Sequence, residues 1–113
     1  MVNSSGGGHF TKPAPVNATR KEMNDYVLSY YSQSDWIVSE NTFQMLKSYN
    51  LIIIGVIWSA PPNYCDPKDN VTLLESHIND FAQLWESVLY VLNVHNISID
   101  YIELLNEPDG KEI

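Results

Sequence analysis

The segment Ile99-Asp-Tyr-Ile-Glu-Leu-Leu-Asn-Glu-Pro108 is the most informative part of the sequence, because an apolar run leads directly into an amide, a carboxylate and a proline. Its apolar residues form the short run that is typical of a strand covered on both faces, as in a parallel sheet. Pro108 has no N–H to donate and restricts the residue before it, so the strand is predicted to end at Glu107. Glu107 is therefore predicted to stand at the carboxyl end of a strand, where parallel α/β sheets collect ligands and catalytic side chains.

A second strand and a long helix are predicted upstream. The run from 51 to 57 is interrupted only by Gly55 and leads into Trp58, which indicates a buried strand with an aromatic ring at its end. Apolar residues then recur at spacings of three and four and predict a helix from about 71 to 95. They are Leu74, Ile78, Phe81, Trp85, Val88 and Leu92. The order strand, helix, strand predicts a right-handed βαβ unit, with the helix packed on a parallel sheet.

The first part of the chain carries weaker signals. Residues 1–23 are predicted to be a flexible lead-in, because most of them belong to a segment rich in Gly, Ser, Pro and Asn. Residues 24–38 mix aromatic residues with turn formers, which indicates a strand and the loop after it. A helix is then predicted to begin at Ser39, whose hydroxyl can cap free N–H groups, and to end at Asn50.

Charge, cysteine and histidine content restrict the function. The chain of 113 residues carries a formal net charge of −8, which argues against nucleic-acid binding because such a surface repels phosphate backbones. Cys65 is the only cysteine, so neither an internal disulfide framework nor a Cys-rich zinc site is predicted. His77 and His95 lack partners at ligand spacing. No metal site and no cofactor are therefore expected.

Four sequons, at Asn3, Asn17, Asn70 and Asn96, match the acceptor pattern for N-glycosylation in secreted chains. They favour a secreted, endomembrane or lysosomal location. Asn70 and Asn96 flank the long helix and are predicted to lie on the surface and carry glycans. The segment from Met1 to Gly8 has neither a basic start nor an apolar stretch, so no signal peptide is predicted in it. No apolar run approaches the ~18 residues that a membrane-spanning helix needs, so no stable membrane anchor is predicted.

Two motifs point to a family. Asn106-Glu107-Pro108 at the end of a strand resembles the acid/base motif of the clan A glycoside hydrolases, which are retaining enzymes built on (β/α)8 barrels. The segment Trp58-Ser-Ala-Pro61 is similar to the Trp-Ser-x-Pro segment that ends the third barrel strand in glycoside hydrolase family 30. Both motifs lie in the order and at the spacing of that family, which makes it the preferred match.

This resemblance implies an α/β fold for residues 24–113, a partial (β/α)8 TIM barrel with roughly its second to fourth βα units. A whole barrel needs about 250 residues, so the chain would supply less than half of one. In such a barrel the loop after the second strand would carry aromatic residues that face the sugar. Tyr30, Tyr31 and Trp36 either take that role or pack a helix onto the sheet.

The resemblance also assigns roles to three side chains. Glu107 would be the catalytic acid/base, Asn106 would donate to the 2-hydroxyl of the sugar, and Trp58 would stack on the sugar ring. Trp58 and Glu107 are then expected to open onto the same concavity. By strand parity, Glu103 lies on the same face as Glu107, deeper in the sheet. The substrate would be a carbohydrate or a glycolipid.

The second carboxylate of a retaining site is missing from this pattern. In the clan, the nucleophile is a glutamate at the end of the seventh strand, whereas this sequence is expected to stop just after the fourth. The favoured interpretation is therefore a fragment of a retaining β-glycosidase that carries the acid/base and is inactive alone. The alternatives are a non-catalytic carbohydrate-binding fragment and a truncated product without function, which would self-associate through open sheet edges.

Overall fold

The computed structural model describes residues 10, 12–31, 34–56 and 60–103. In these ranges it contains three helices and two short strands, with 3-10 turns between β1 and α3. In chain order, the elements are α1 (Arg20–Tyr31), α2 (Ser34–Ser48), β1 (Ile54–Val56), α3 (Ile78–Val94) and β2 (Tyr101–Glu103).

Helix α1 begins with two reciprocal hydrogen bonds. The Glu22 backbone N–H donates to Thr19 Oγ1 at 3.1 Å, and the Thr19 N–H donates to Glu22 Oε1 at 3.1 Å. This is a capping box, which satisfies two donors that the first turn would otherwise leave without partners. The helix thus starts at Arg20, within the segment that was predicted to be a lead-in.

The prediction of a strand in residues 24–38 is wrong, because α1 and the start of α2 occupy this range. Met23, Val27 and Tyr30 follow one another at spacings of four and three, and all three are buried. That spacing places them on one face of a helix. The polar and turn-forming residues between them, which suggested a loop, lie on the remaining sides of the helix.

Helix α2 also differs at its start from the prediction, since it begins at Ser34 and Ser39 lies inside it. Its end matches. Asn50 adopts a left-handed conformation with φ of 58°, and its N–H donates to the Lys47 carbonyl at 2.9 Å. The Leu51 N–H donates to the Leu46 carbonyl at 3.4 Å, which completes a Schellman-type termination.

Helix α3 is shorter than predicted at its start. Residues 71–77 form coil and a 3-10 turn, and the α-helix begins at Ile78. Its predicted end is confirmed. Asn96 has φ of 64°, its N–H donates to Asn93 at 3.0 Å, and the Ile97 N–H donates to Leu92 at 2.9 Å. Both α2 and α3 therefore end at a left-handed asparagine.

The two strands pair in parallel, as predicted. The register places Ile54 beside Tyr101, Gly55 beside Ile102 and Val56 beside Glu103. Ile54 and Tyr101, as a pair in register, project to the same face of the sheet.

Asp100 fixes the start of this pairing through both its backbone and its side chain. Its N–H donates to the Ile53 carbonyl at 2.9 Å, while its Oδ2 accepts the Ile53 N–H at 2.7 Å. Lys47 Nζ at the end of α2 lies 3.0 Å from the same carboxylate. One aspartate therefore joins the end of α2 to the beginnings of both strands.

The core lies between α1 and α3 and contains no strand residue among those described. Its largest fully buried aliphatic side chains are Met23 and Val27 on α1, and Leu84 and Val91 on α3. The apolar stripe of α3 packs chiefly against the apolar stripe of α1. The predicted packing of this helix on the sheet is therefore wrong.

The fold class predicted from the family resemblance is also wrong. The described chain forms three helices and a two-stranded parallel sheet, without an evident barrel. In a barrel, each crossover helix covers the sheet between its strands. Here Ile52, Ile54 and Tyr101 are 69%, 59% and 65% exposed, because their face of the sheet has no layer packed over it in the described structure.

Candidate functional site

The three residues predicted to form the site lie outside the described residues. Trp58 follows the last residue of β1 by two positions, and Asn106 and Glu107 follow the last residue of β2 by three and four. The structure describes the strands that lead to them. Because β1 and β2 are adjacent and parallel, their carboxyl ends lie at the same edge of the sheet, about 4.8 Å apart.

The last described strand pair carries a carboxylate. Glu103 is exposed and pairs in register with Val56. Alternation along the strand places Glu103 on the same face as Tyr101, next to Ile54 on the neighbouring strand. Within the described residues, the Glu103 carboxylate has no hydrogen bond or ion pair. This end of the sheet therefore presents an exposed carboxylate beside apolar and aromatic side chains.

Tyr30 and Tyr31 of α1, the two candidates for sugar contacts, are buried in the core. Tyr30 is 1% exposed and Tyr31 is 6% exposed, and both belong to the helical core. The Tyr30 hydroxyl accepts the Lys12 backbone N–H at 2.6 Å, and the Tyr31 ring stacks on His95 with centroids 3.9 Å apart. The packing alternative is thus confirmed for these two residues, although their partner is a helix. Trp36 lies in α2, with its side chain outside the described part.

A second polar cluster was not predicted from the sequence. His77 Nδ1 donates to Asp80 Oδ2 at 2.9 Å, and the Asn17 backbone N–H donates to Asp80 Oδ1 at 2.8 Å. The Asp80 side chain is buried, and its hydrogen bond with His77 lowers the pKa of its carboxyl group. The ring of Tyr64 stacks on His77 with centroids 5.2 Å apart. We call these three side chains, Tyr64, His77 and Asp80, the clamp.

We call α1 and α3, which pack against each other, the helical pair. The clamp holds the segment before α1 against this pair. The Tyr64 hydroxyl donates to the Pro15 carbonyl, and burial raises the Tyr64 pKa to about 12. Asn63 reinforces this contact, because its amide accepts the Ala14 N–H at 3.0 Å and donates to the Ala14 carbonyl at 2.9 Å. An imidazole oriented by a buried carboxylate could exchange protons with a ligand. Here, however, the neighbouring bonds all end on backbone groups, which explains the cluster as a structural anchor.

One signal in the sequence could have identified half of the clamp. His77 and Asp80 lie three residues apart at the start of a helix, where such side chains are neighbours. A carboxylate also suits the positive end of a helix dipole. The other half depends on the N–H of Asn17 and the carbonyl of Pro15, and no side-chain pattern indicates backbone partners that lie this far away along the chain.

The remaining reactive groups are few. In the ranges that the structure covers, no group of three or more His, Cys, Asp or Glu side chains could hold a metal ion. The Cys65 thiol is buried against the carbonyls of Ala60 and Pro61, and burial raises its pKa, which disfavours the reactive thiolate. Among the described helices, none is long and apolar enough to cross a membrane.

No known protein family, curated protein or solved structure matches the chain. The likeness to family 30 therefore depends on the two motifs themselves, at Trp58 and at Asn106-Glu107. The described structure contributes the parallel pairing of the strands that precede these motifs.

Proposed function

We propose that the chain carries the acid/base half of a retaining β-glycosidase site. Glu107 acts as the acid/base, and Asn106 and Trp58 contact the sugar. The observation that supports this proposal is the parallel pairing of β1 with β2. The carboxyl ends of these two strands, which precede the two motifs in the sequence, lie at one edge of one sheet. A shared edge requires only two neighbouring strands, whatever the fold around them.

The chemistry of each residue type suits its proposed role. A glutamic acid can protonate the leaving oxygen of a glycosidic bond. An amide beside it can donate to the 2-hydroxyl, with a bond that strengthens in the transition state. An indole ring offers a flat apolar face for sugar C–H groups and an N–H for a hydroxyl. The net charge of −8 is compatible with a neutral sugar and unfavourable for a nucleic acid.

Retention also needs a nucleophile about 5 to 5.5 Å from the acid/base. Glu103 is the only carboxylate within the two described strands, and it has no partner there that would orient it. The sequence contains no second Asn-Glu-Pro segment, and among the described residues no other glutamate directly follows a strand. The proposed outcome for the chain alone is therefore sugar binding without turnover, which is what the carbohydrate-binding alternative also requires.

Binding of phenyl β-glycosides, followed by ligand-observed NMR, tests the proposed site. Trp58→Ala and Glu107→Gln are expected to weaken binding about tenfold, which corresponds to ~1.4 kcal/mol each. Two exposed residues of the helical part provide matched controls: Tyr90→Ala removes an aromatic ring and Glu75→Gln removes a carboxylate. Both controls should bind like the parent chain. Equal losses in all four variants, or no binding by the parent, would contradict the proposal.

A hydrolysis assay with the same glycosides separates the acid/base role from simple binding. The chain is expected to show no turnover above background, because one carboxyl group provides no covalent route. Added formate or azide could replace the missing nucleophile. A slow release of phenol that requires the added anion and disappears in Glu107→Gln would support the acid/base role. Binding without any rescued turnover would favour the non-catalytic alternative.

A further inference from the structure

The described residues that have a positive φ without being glycine are all asparagines, and all of them are exposed. Four residues other than glycine adopt this conformation in the described ranges: Asn17, Asn50, Asn70 and Asn96, with φ of 51°, 58°, 56° and 64°. Asparagine tolerates the left-handed region better than most residues, so turn geometry explains why asparagine occurs at each position.

Turn geometry does not explain the hydroxyl residues that stand close to three of these asparagines. Asn17, Asn70 and Asn96 have a Thr or Ser two positions later, whereas Asn50 has Ile52. A left-handed turn therefore does not require the hydroxyl in this chain. The three sequons are instead the arrangement that N-glycosylation uses, on asparagines that the folded chain leaves accessible.

The hydroxyl residues differ in whether the fold also uses them. Thr19, after Asn17, caps α1. Thr72, after Asn70, donates to Asp69 Oδ2 at 2.6 Å. Ser98, after Asn96, is exposed, and its side chain has no hydrogen-bond partner within the described residues. Ser98, in the sequon of Asn96, is thus the hydroxyl residue for which the fold offers the least explanation.

We infer that Asn96, together with Asn17 and Asn70, accepts N-linked glycans, with Asn96 as the leading site. In this reaction the Asn Nδ2 forms a bond to C1 of the first sugar of an oligosaccharide carried on a lipid pyrophosphate. The C1–O bond to the pyrophosphate breaks, the amide loses one proton, and the lipid pyrophosphate leaves. This inference is independent of the proposed glycosidase site.

The positions of the three asparagines have a consequence for the surface. The Asn17 N–H donates to Asp80 in the first turn of α3, and Asn96 lies just beyond the last turn of the same helix. At the helical rise, Asp80 and Asn96 are about 24 Å apart along the axis. Asn17 and Asn96 would thus carry glycans at opposite ends of α3. All three acceptors lie outside the strands, so the exposed face with Ile54 and Tyr101 keeps its own side chains unmodified.

Expression of the full chain behind a cleavable secretion signal in a eukaryotic host tests this inference. Enzymatic release of N-glycans in heavy-oxygen water, followed by peptide mass spectrometry, marks each occupied asparagine. Label is expected at residues 17, 70 and 96. Absence of label at Asn96 in the secreted chain would overturn the inference.

Two variants separate glycan attachment from folding at this position. Asn96→Gly suits the left-handed conformation and removes the acceptor, and Ser98→Ala keeps the asparagine and removes only the hydroxyl. Both should lose one glycan and keep the helical circular dichroism of the parent chain. Persistence of the glycan in Ser98→Ala would contradict a sequon-directed modification.

Asn50 provides a matched control for accessibility. It has the same left-handed conformation and is also exposed. Ile52→Ser would create a sequon at Asn50, and the Ile52 side chain that it replaces is 69% exposed. This variant is expected to gain one glycan. A gain at Asn50 while Asn96 stays unmodified would show that the host reads such turns, and it would overturn the assignment of Asn96.

Discussion

The helical pair and the two-stranded sheet contain similarly apolar residues and bury them very differently. Met23, Val27 and Leu84 in the helical pair have no exposed surface, whereas Ile52 and Ile54 in and beside β1 are mostly exposed. A helix needs only one partner to cover its single apolar stripe. A parallel sheet needs a layer on each face and further strands at its edges. In the described structure, the helices have the partner that they need, whereas the sheet lacks part of its covering layers and neighbouring strands.

Large-to-small substitutions offer the strongest test of this contrast. Leu84→Ala should lower the free energy of unfolding by about 2 to 5 kcal/mol, because it leaves a cavity in the core between α1 and α3. Ile54→Ala, at a side chain that is 59% exposed, should cost less than about 1 kcal/mol. Urea unfolding followed by circular dichroism measures both. Equal losses would show that the sheet face is covered in solution.

Removing the carboxylate charge of Asp80 in the clamp should have the next largest effect on the free energy of unfolding. Asp80→Asn weakens the acceptor for the Asn17 N–H and for His77, so a loss of about 1 to 3 kcal/mol at pH 7 is expected. Asp25→Asn is the control. Its carboxylate is exposed in a pair with Lys21, so stability should change little.

The clamp also predicts a pH dependence. The folded pKa of Asp80 lies below its ordinary value of 3.8, so the unfolded chain binds the proton more readily. The stabilisation is therefore complete above the ordinary value and is lost as the pH falls through the lowered one. Asp80→Asn should flatten this acid limb in urea titrations between pH 6 and roughly 2. Asp100 also has a lowered pKa, so part of the slope should persist.

The capping box should contribute less. Thr19→Ala removes the hydroxyl that accepts the Glu22 N–H, and a loss of about 1 kcal/mol is expected. Thr19→Ser retains that acceptor and should behave like the parent chain. Thermal unfolding of the two variants provides the comparison. A similar loss in both would indicate that the threonine methyl group, rather than the hydrogen bond, stabilises α1.

The smallest effect on global stability is expected in the sheet. Asp100→Ala removes the acceptor of the Ile53 N–H, so amide exchange at Ile53 should accelerate while exchange at core amides such as Leu84 stays the same. Hydrogen exchange observed by NMR measures the two sites together. Acceleration at both sites would mean that the sheet and the helical pair unfold as one unit.

The sequence predicted the strands better than it predicted their surroundings. Pro108 and the continuous apolar runs indicated two parallel strands, and residues 54–56 and 101–103 pair in this way. Nothing in the pattern of α3 states whether its stripe meets a sheet or another helix, because either surface is apolar. The barrel prediction took the partner from the family resemblance, and that choice was wrong.

For the candidate site, too, the sequence identified motifs better than it identified their surroundings. The motifs at Trp58 and Glu107 are visible in the sequence, and their proposed roles stay predictions because both residues lie outside the described ranges. For Tyr30 and Tyr31 the sequence left two alternatives, which only burial could separate. The hydrogen bonds of Asp80 in the clamp were not predicted from the sequence, because half of its partners are backbone groups.

The same helix-to-strand turn occurs twice in the chain, after α2 and after α3, and each turn contains a left-handed asparagine. In each, the N–H of the next apolar residue donates to a leucine carbonyl five positions earlier, Leu51 to Leu46 and Ile97 to Leu92. A strand begins within a few residues of each turn. Such turns close over short sequence distances and cost little loop entropy. Both turns therefore bring the start of a strand close to the end of its helix at a small entropic cost. The hydrogen bond from the Ile53 N–H to Asp100 then joins the two turns in a single register.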